Sequence, residues 1–150
     1  MNLMEYQNLT GEYRHRVDAQ GRVAIPSRFR DSFIDGVIAS RGIDKCVDLF
    51  SQSNWVTHAN KVTDLPITIE KARRYRRLTM SGTFNLETDK QGRILIPASL
   101  RTYADLEEEI TVAGVGDHLE LWNTHSWDIE LESILADRKY LAESIEDTNR

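Results

Sequence analysis

The sequence predicts an α+β protein built from two copies of one β-turn-β-α-β-β unit, with helices between and after them. The first observation behind this is an internal repeat, the feature that decides architecture before any local reading. Asp18-Ala19-Gln20-Gly21-Arg22-Val23-Ala24-Ile25-Pro26 recurs 71 residues later as Asp89-Lys90-Gln91-Gly92-Arg93-Ile94-Leu95-Ile96-Pro97, with six of nine positions identical. The likeness continues: Ser27-Arg28-Phe29-Arg30 parallels Ala98-Ser99-Leu100-Arg101. At an offset of 72, Val47-Asp48-Leu49-Phe50 followed by Trp55 parallels Leu119-Glu120-Leu121-Trp122 followed by Trp127. The second observation is short alternating runs bounded by turn residues, which read as strands. The third is size: 150 residues with 40% hydrophobic and 29% charged side chains suit a globular chain that holds a core without disulfides or metal.

Taken in order, Glu12 to Val17 alternates, with Tyr13, His15 and Val17 on one face and Glu12, Arg14, Arg16 and Asp18 on the other. Asp18 opens a tight turn, its carboxylate suited to accept a local amide, and Gly21 closes it where positive φ is required. Val23-Ala24-Ile25 is the return strand. Pro26 ends it, lacking an amide hydrogen, and is placed to open a short helix over 27–32. Val37 to Ser40 and Val47 to Phe50 form a second strand pair around a turn containing Gly42. The second copy repeats the order: strand 83–88, turn Asp89 to Gly92, strand 93–96, helix 98–104, strands 110–113 and 118–122. Between the copies, Asn54 to Thr63 reads as a helix capped by Ser53 or Asn54. After Pro66, a second helix over 69–80 carries Lys71, Arg73, Arg74, Arg76 and Arg77. A tail helix spans 127–141, and 144–150 is expected to fray. The domain boundaries that follow are a first module at 12–54, a helical connector at 55–82, a second module at 83–126 and a tail at 127–150.

The net charge of −5 conceals an asymmetry. Residues 1–81 hold 13 Lys and Arg against 9 Asp and Glu, a net of +4; residues 82–150 hold 6 against 15, a net of −9. Such a split is expected of a basic working face on an acidic remainder. No apolar run approaches a membrane span, and the first 16 residues show no signal-peptide pattern. The single cysteine, Cys46, excludes an internal disulfide framework and fits a reduced, cytoplasmic setting; before a strand, it reads as a small buried hydrophobe. The tryptophans 55, 122 and 127 read as core or interface anchors. The run Arg73 to Arg77 reads as a solvated helix face, or as a subunit interface facing acids such as Glu107 to Glu109.

The duplicated motif, preceded by Gly11-Glu12-Tyr13 and separated by the arginine-rich stretch, resembles the MraZ family over nearly the whole chain, from Leu9 to about Trp127. These are bacterial proteins of two SpoVT/AbrB-like modules. The resemblance implies swapped-hairpin β modules related by an internal pseudo-twofold. It also implies ring-shaped homo-oligomers that bind direct repeats of double-stranded DNA in the promoter of the division and cell-wall operon containing their own gene. A cytoplasmic, nucleoid-associated transcriptional regulator, most simply a repressor, is the expected function. The family's D-x-x-x-R signature falls on Asp18 and Arg22, and on Asp89 and Arg93.

The chemistry of these residues fits that expectation. Arginine presents a permanently charged planar fork that grips a phosphate or pairs with guanine, and a narrow β ribbon enters a groove. Gln20 and Gln91 offer both donor and acceptor to base edges. The candidate DNA-binding residues are therefore Arg14, Arg16, Gln20, Arg22, Lys90, Gln91 and Arg93. Asp18, Gly21, Pro26, Asp89, Gly92 and Pro97 shape the motif. Asp18 and Arg22 equally suit a local ion pair across the turn, and both roles are compatible if the aspartate orients the arginine. An enzyme is not expected. The paired aspartates lack the Asp-Thr/Ser-Gly loop of an aspartic protease, and the adjacent arginines keep them ionised. Histidines 15, 58, 118 and 125 show no ligand spacing, so no metal or other cofactor is expected. The alternative is an oligomeric protein-binding scaffold or an antitoxin-like protein of the AbrB fold.

Overall fold

The structure, a computed structural model, describes residues 8–148. In chain order the elements are β1 (Leu9–Arg16), β2 (Arg22–Ala24), a 3₁₀ helix (Ser27–Phe33), β3 (Val37–Arg41), β4 (Val47–Phe50), α1 (Gln52–Thr63), α2 (Glu70–Met80), β5 (Phe84–Leu86), β6 (Arg93–Leu95), α3 (Ala98–Ala104), β7 (Glu109–Gly116), β8 (Leu119–Asn123) and α4 (Thr124–Thr148). Strands and helices mix in one α+β body, as the repeat predicts.

The partners of the strands differ from a simple hairpin. The turn at Asp18 reverses the chain, but β2 does not return along β1; it pairs antiparallel with β6 of the other copy. β1 pairs with β7, and β5 with β3, so the first strand of each copy lies against the third strand of the other. The sheet order β1-β7-β8-β4-β3-β5 therefore reads the same from either end. Equivalent residues face each other where the halves meet: Val23 opposite Ile94 in the small ribbon and Asp48 opposite Glu120 in the sheet. A local twofold passes through both points. The core lies between ribbon and sheet. Val23, Ile25, Phe29 and Phe33 meet Ile94, Ile96 and Leu100 over Leu49, Ile110 and Leu119, all at most 2% exposed.

Local chemistry explains the departures from the sequence reading. The first copy's helical segment, Ser-Arg-Phe-Arg-Asp-Ser-Phe, has poor helix formers and closes as 3₁₀. The second copy's Ala-Ser-Leu-Arg-Thr-Tyr-Ala makes an α-helix. Pro26 and Pro97 sit one residue outside these helices, at the cap position. The cap of α1 is Ser51, whose hydroxyl accepts from the Asn54 amide at 3.3 Å, so α1 starts two residues before the predicted helix. α4 runs on through Thr148 where fraying was expected; positions 149 and 150 of that expectation lie outside the described residues. The prediction for Cys46 holds: it is 1% exposed, and burial, with Asp48 nearby, pushes its thiol far above the usual range.

The Asp48–Glu120 pair poses an electrostatic problem, because like charges directly opposite in a sheet repel. His118 solves it. Its ring lies 3.5 Å from Asp48 Oδ1 and 3.6 Å from Glu120 Oε2 through Nε2, and 2.7 Å from Asp117 Oδ1 through Nδ1. It also stacks on Phe50, with centroids 4.7 Å apart. Burial alone would push its pKa down, but hydrogen bonds with Asp48 and Glu120, the Asp48 charge and Asp117 raise it to about 10. Glu120 is correspondingly lowered, against its own burial, by His118 and Trp122. Position 118 is the repeat equivalent of Cys46 at offset 72, so the charge-neutralising residue occurs in one copy alone.

A histidine whose pKa rises on folding stabilises fully below its ordinary 6.5 and loses that contribution as pH climbs through about 10. Denaturant unfolding should therefore show stability falling between pH 7 and 10. His118→Gln should cost about 2 kcal/mol at pH 7, the scale of a charge-assisted hydrogen bond, and should flatten that pH dependence. An unchanged alkaline slope in the variant would contradict the assignment.

Candidate nucleic-acid interface

The two motif turns are built alike, bond for bond. In the first, Asp18 Oδ1 accepts from the amides of Gln20 and Arg22, both at 2.9 Å, and Oδ2 accepts from Arg22 Nε at 2.8 Å. The Gly21 amide donates to the Asp18 carbonyl at 3.0 Å. In the second, Asp89 takes the amides of Gln91 and Arg93 at 2.9 Å and Arg93 Nε at 2.8 Å. The Arg22 amide, with the Arg22 side chain and the Gln20 amide, holds the Asp18 carboxyl down at about 2. Asp89 is lowered by the same set of donors, led by the Arg93 amide. The local ion pair read from the sequence is thus present in both copies.

That pair also aims the arginine. It runs through Nε, and among the described residues no hydrogen bond takes the Nη atoms of Arg22. Pairing of β2 with β6 then brings the two turns to one surface. Arg22 lies opposite Leu95 and Arg93 opposite Ala24, while the intervening Val23 and Ile94 point into the core. Arg93 Nη1 comes within 3.9 Å of Asp18 Oδ2, so the two Asp–Arg pairs touch across the ribbon. Gln20, Lys90 and Gln91 are exposed at the turn tips. Leu95, also exposed on the ribbon, was not singled out in the sequence.

Arg14 and Arg16 are held differently. Both are exposed on β1, but Arg14 pairs with Asp128 of α4 at 3.1 Å, and Arg16 lies opposite Glu109 in the ladder. Their acidic neighbours come from other elements, whereas each ribbon arginine is paired with the aspartate of its own turn.

Two further residues, Arg30 and Arg101, position the site. The sequence signal was the alignment of the repeat, which equates them. Each packs over the motif glycine of the other copy. A Cβ on Gly21 would collide with the Arg101 guanidinium, and one on Gly92 with that of Arg30. Both glycines also hold positive φ, +87° and +75°. The Gly21 and Gly92 carbonyls accept the amides of Ile96 and Ile25 at 3.0 and 2.9 Å. Each turn is therefore locked to the strand that leaves the other.

Elsewhere, Cys46, Asp48 and Glu120 place donor atoms within 4.8 Å of one another. The protonated thiol, His118 and the Trp122 indole, which donates to Glu120 at 2.9 Å, account for that cluster. No helix among the described residues is long and apolar enough to cross a membrane.

The duplicated turn and the shared ribbon define a strand-exchanging tandem-repeat protein with one arginine-bearing surface made jointly by both copies. Comparison with known proteins gives the particular group. A family model described as an antitoxin-like MraZ protein matches the chain twice, over residues 9–78 and 79–145. A protein of Roseiflexus sp. (strain RS-1) named transcriptional regulator MraZ is 41% identical over 135 residues, 90% of this chain and 94% of the relative. Another of that name from Halothermothrix orenii is 39% identical over 137 residues, 91% and 96% of the two chains. The chain belongs to the MraZ family.

Gly21→Ala should destabilise the protein by about 1–3 kcal/mol, because positive φ strains any Cβ and Arg101 must move. Ala24→Gly, a neighbouring change without a steric demand, should cost less. Thermal unfolding of the two variants checks the order; a loss for Gly21→Ala no larger than for Ala24→Gly would contradict the strained, crowded turn.

Proposed function

We propose that this chain is a sequence-specific DNA-binding transcriptional regulator, and not an enzyme. The observation that carries the reading is the pair of arginines, Arg22 and Arg93, displayed side by side on a two-stranded ribbon and each oriented through Nε by its own aspartate. A ribbon of this width enters the major groove, and an arginine fork left open at its Nη edge suits guanine or phosphate. Gln20, Lys90 and Gln91 flank the arginines at the tips and supply donors and acceptors. Arg14 and Arg16 take outer backbone contacts, Arg14 after release from Asp128. The names of the relatives support regulation of transcription.

In this reading the modules are residues 12–54 and 83–126, joined by the connector 55–82, with 127–150 as the tail. The targets are direct repeats upstream of the division and cell-wall operon that holds the chain's own gene, and the regulator acts there as a repressor, in the cytoplasm at the nucleoid. Assembly of copies lets several ribbons engage successive repeats, so weak single contacts combine into avid binding. This also reconciles an overall charge of −5 with a polyanionic partner.

Fluorescence anisotropy tests the proposal: the protein is titrated onto duplex from upstream of its own gene and onto a shuffled duplex, at two salt concentrations. The native duplex should bind tighter, and binding should weaken with salt as counterions return to phosphate. Arg22→Ala and Arg93→Ala should each lose about 1–3 kcal/mol on the native duplex. Equal, feeble binding to both duplexes would overturn the reading in favour of a scaffold or antitoxin-like role.

A further inference from the structure

The outer half of α4 leaves the body with its apolar face uncovered. Its base is held: Trp127 meets Trp122 with centroids 5.6 Å apart and donates to Glu12 at 3.2 Å, and Asp128 pairs with Arg14. From Glu132 to Tyr140 every residue is exposed. At 1.5 Å per residue, 132–148 reaches roughly 25 Å. The face that packs at the base continues along this stretch through Leu131, Ile134, Leu141 and Ile145, with Leu135 at its edge; the last four are 36–60% exposed. Arg138 lies in the stripe but folds back to donate to its own helix, at the Leu135 carbonyl. An amphipathic stripe of this kind gains stability from a partner surface. Its surroundings are acidic: residues 124–146 carry six Asp and Glu against two Lys and Arg.

The same chain carries the converse surface. On α2, Arg73, Arg76, Arg77 and Met80 fall on one face at i, i+3, i+4 and i+7. With Ile67 and Ser81 they line a groove of about 470 Å³. Ile67 is 67% exposed, and α2 holds five basic residues against one acidic. Within one copy the two surfaces lie apart. α2 packs on α1 and β3, and α4 on β7 and β8, in opposite halves of the sheet order.

We propose that the outer half of α4 docks in the α2 groove of a second copy of this chain. Ile134, Leu141 and Ile145 cover Ile67 and Met80, while Glu130 and Asp137, flanking the stripe, meet Arg76 and Arg77. Charge selects this occupant over a second α4, because two acidic helices repel. The contact is head-to-tail, with a different patch on each side. It therefore leaves a free groove and a free helix until a ring closes. It rests on the part of the proposed function in which copies assemble, and is independent of whether the assembly binds DNA.

Light scattering on eluting full-length protein at low salt tests it. The wild type should run at a multiple of the single-chain mass. Arg76→Glu with Arg77→Glu should reduce that mass to one copy, as should Glu130→Lys with Asp137→Lys. Combining all four should restore assembly, since the charges are exchanged. As a geometric check in a Cys46→Ser background, Ile134→Cys protein mixed with Met80→Cys protein should form a disulfide-linked pair, absent from either alone. Wild-type mass in both reversals would overturn the docking while leaving assembly intact. Dissociation by the α4 reversal alone would overturn it in favour of another partner for that helix. A monomeric wild type would overturn the docking and the assembled form of the regulator together, leaving the anisotropy of Arg22→Ala to judge DNA binding by itself.

Discussion

The antiparallel contact of β2 with β6 is one of the places where the two copies meet, and the geometry of the candidate site follows from it. A strand of three residues has too few bonds to stand alone, so each motif strand takes its backbone partner from the other copy. The pairing places Val23 on Ile94, buries both, and forces the residues on either side outward. Those residues are Arg22 and Ala24 in one copy and Arg93 and Leu95 in the other. The same contact fixes where each chain goes next. The Ile25 and Ile96 amides bond the glycine carbonyls of the opposite turns, and Arg30 and Arg101 lie over the glycines that lack a Cβ to exclude them. Surface and core are thus set by one interaction, and a change at a motif glycine reaches both.

A twofold built into a single chain carries a cost that separate subunits share. Residues on the axis face their own equivalents, and an acid there faces an acid. Asp48 and Glu120 sit at such a point in the middle of the six-stranded sheet. Because the two copies are covalently one chain, they are free to differ, and the neighbouring position is Cys46 in one copy and His118 in the other. The histidine supplies the cation, and Phe50 supplies a ring for it to stack on. Burying a charged group is expensive unless its partners are complete. Here three carboxylates surround one imidazolium, and each member has a partner.

The parts of this fold that were legible in the sequence are those decided locally. The Asp-x-x-Gly-Arg turns, the β3–β4 and β7–β8 pairs and helix α3 follow from turn chemistry, alternation and propensity within a few residues. The partner of β2 was not legible. Three apolar residues after a tight turn read naturally as a returning strand, and only the packing of Val23 against Ile94 gives them to the other copy. The length of α4 was missed because the apolar spacing weakens after Leu141, although the residues that follow still suit a helix. In the candidate site, Asp18, Arg22, Asp89 and Arg93 were legible as a motif, whereas Arg14 was not separable from them until α4 brought Asp128 to it. The His118 cluster had no ligand spacing to announce it. Its signal was the repeat itself, which equates Asp48 with Glu120 and so puts two acids near any axis relating the copies.

Under the function proposed above, the aspartate beside each arginine looks at first like a handicap, because it cancels charge where a polyanion is to be held. Its geometry argues otherwise. The bond to Nε fixes the plane of the guanidinium before any ligand arrives, and the turn amides fix the aspartate in turn. The ordering entropy of a long side chain, which an unpaired arginine surrenders on binding, is surrendered here during folding. What is given up is long-range attraction, which salt screens within about 8–10 Å at physiological ionic strength. On the proposed reading, a ribbon built this way binds weakly as a single unit and discriminates by shape and hydrogen bonding at contact. Such a ribbon gains most from repetition, with many identical copies held in fixed register on repeated sites. The acidic second half of the chain then becomes intelligible. In the proposed reading it surrounds the arginine-bearing ribbon with acidic surface from the second copy and the tail, and so restricts the orientations in which a duplex approaches.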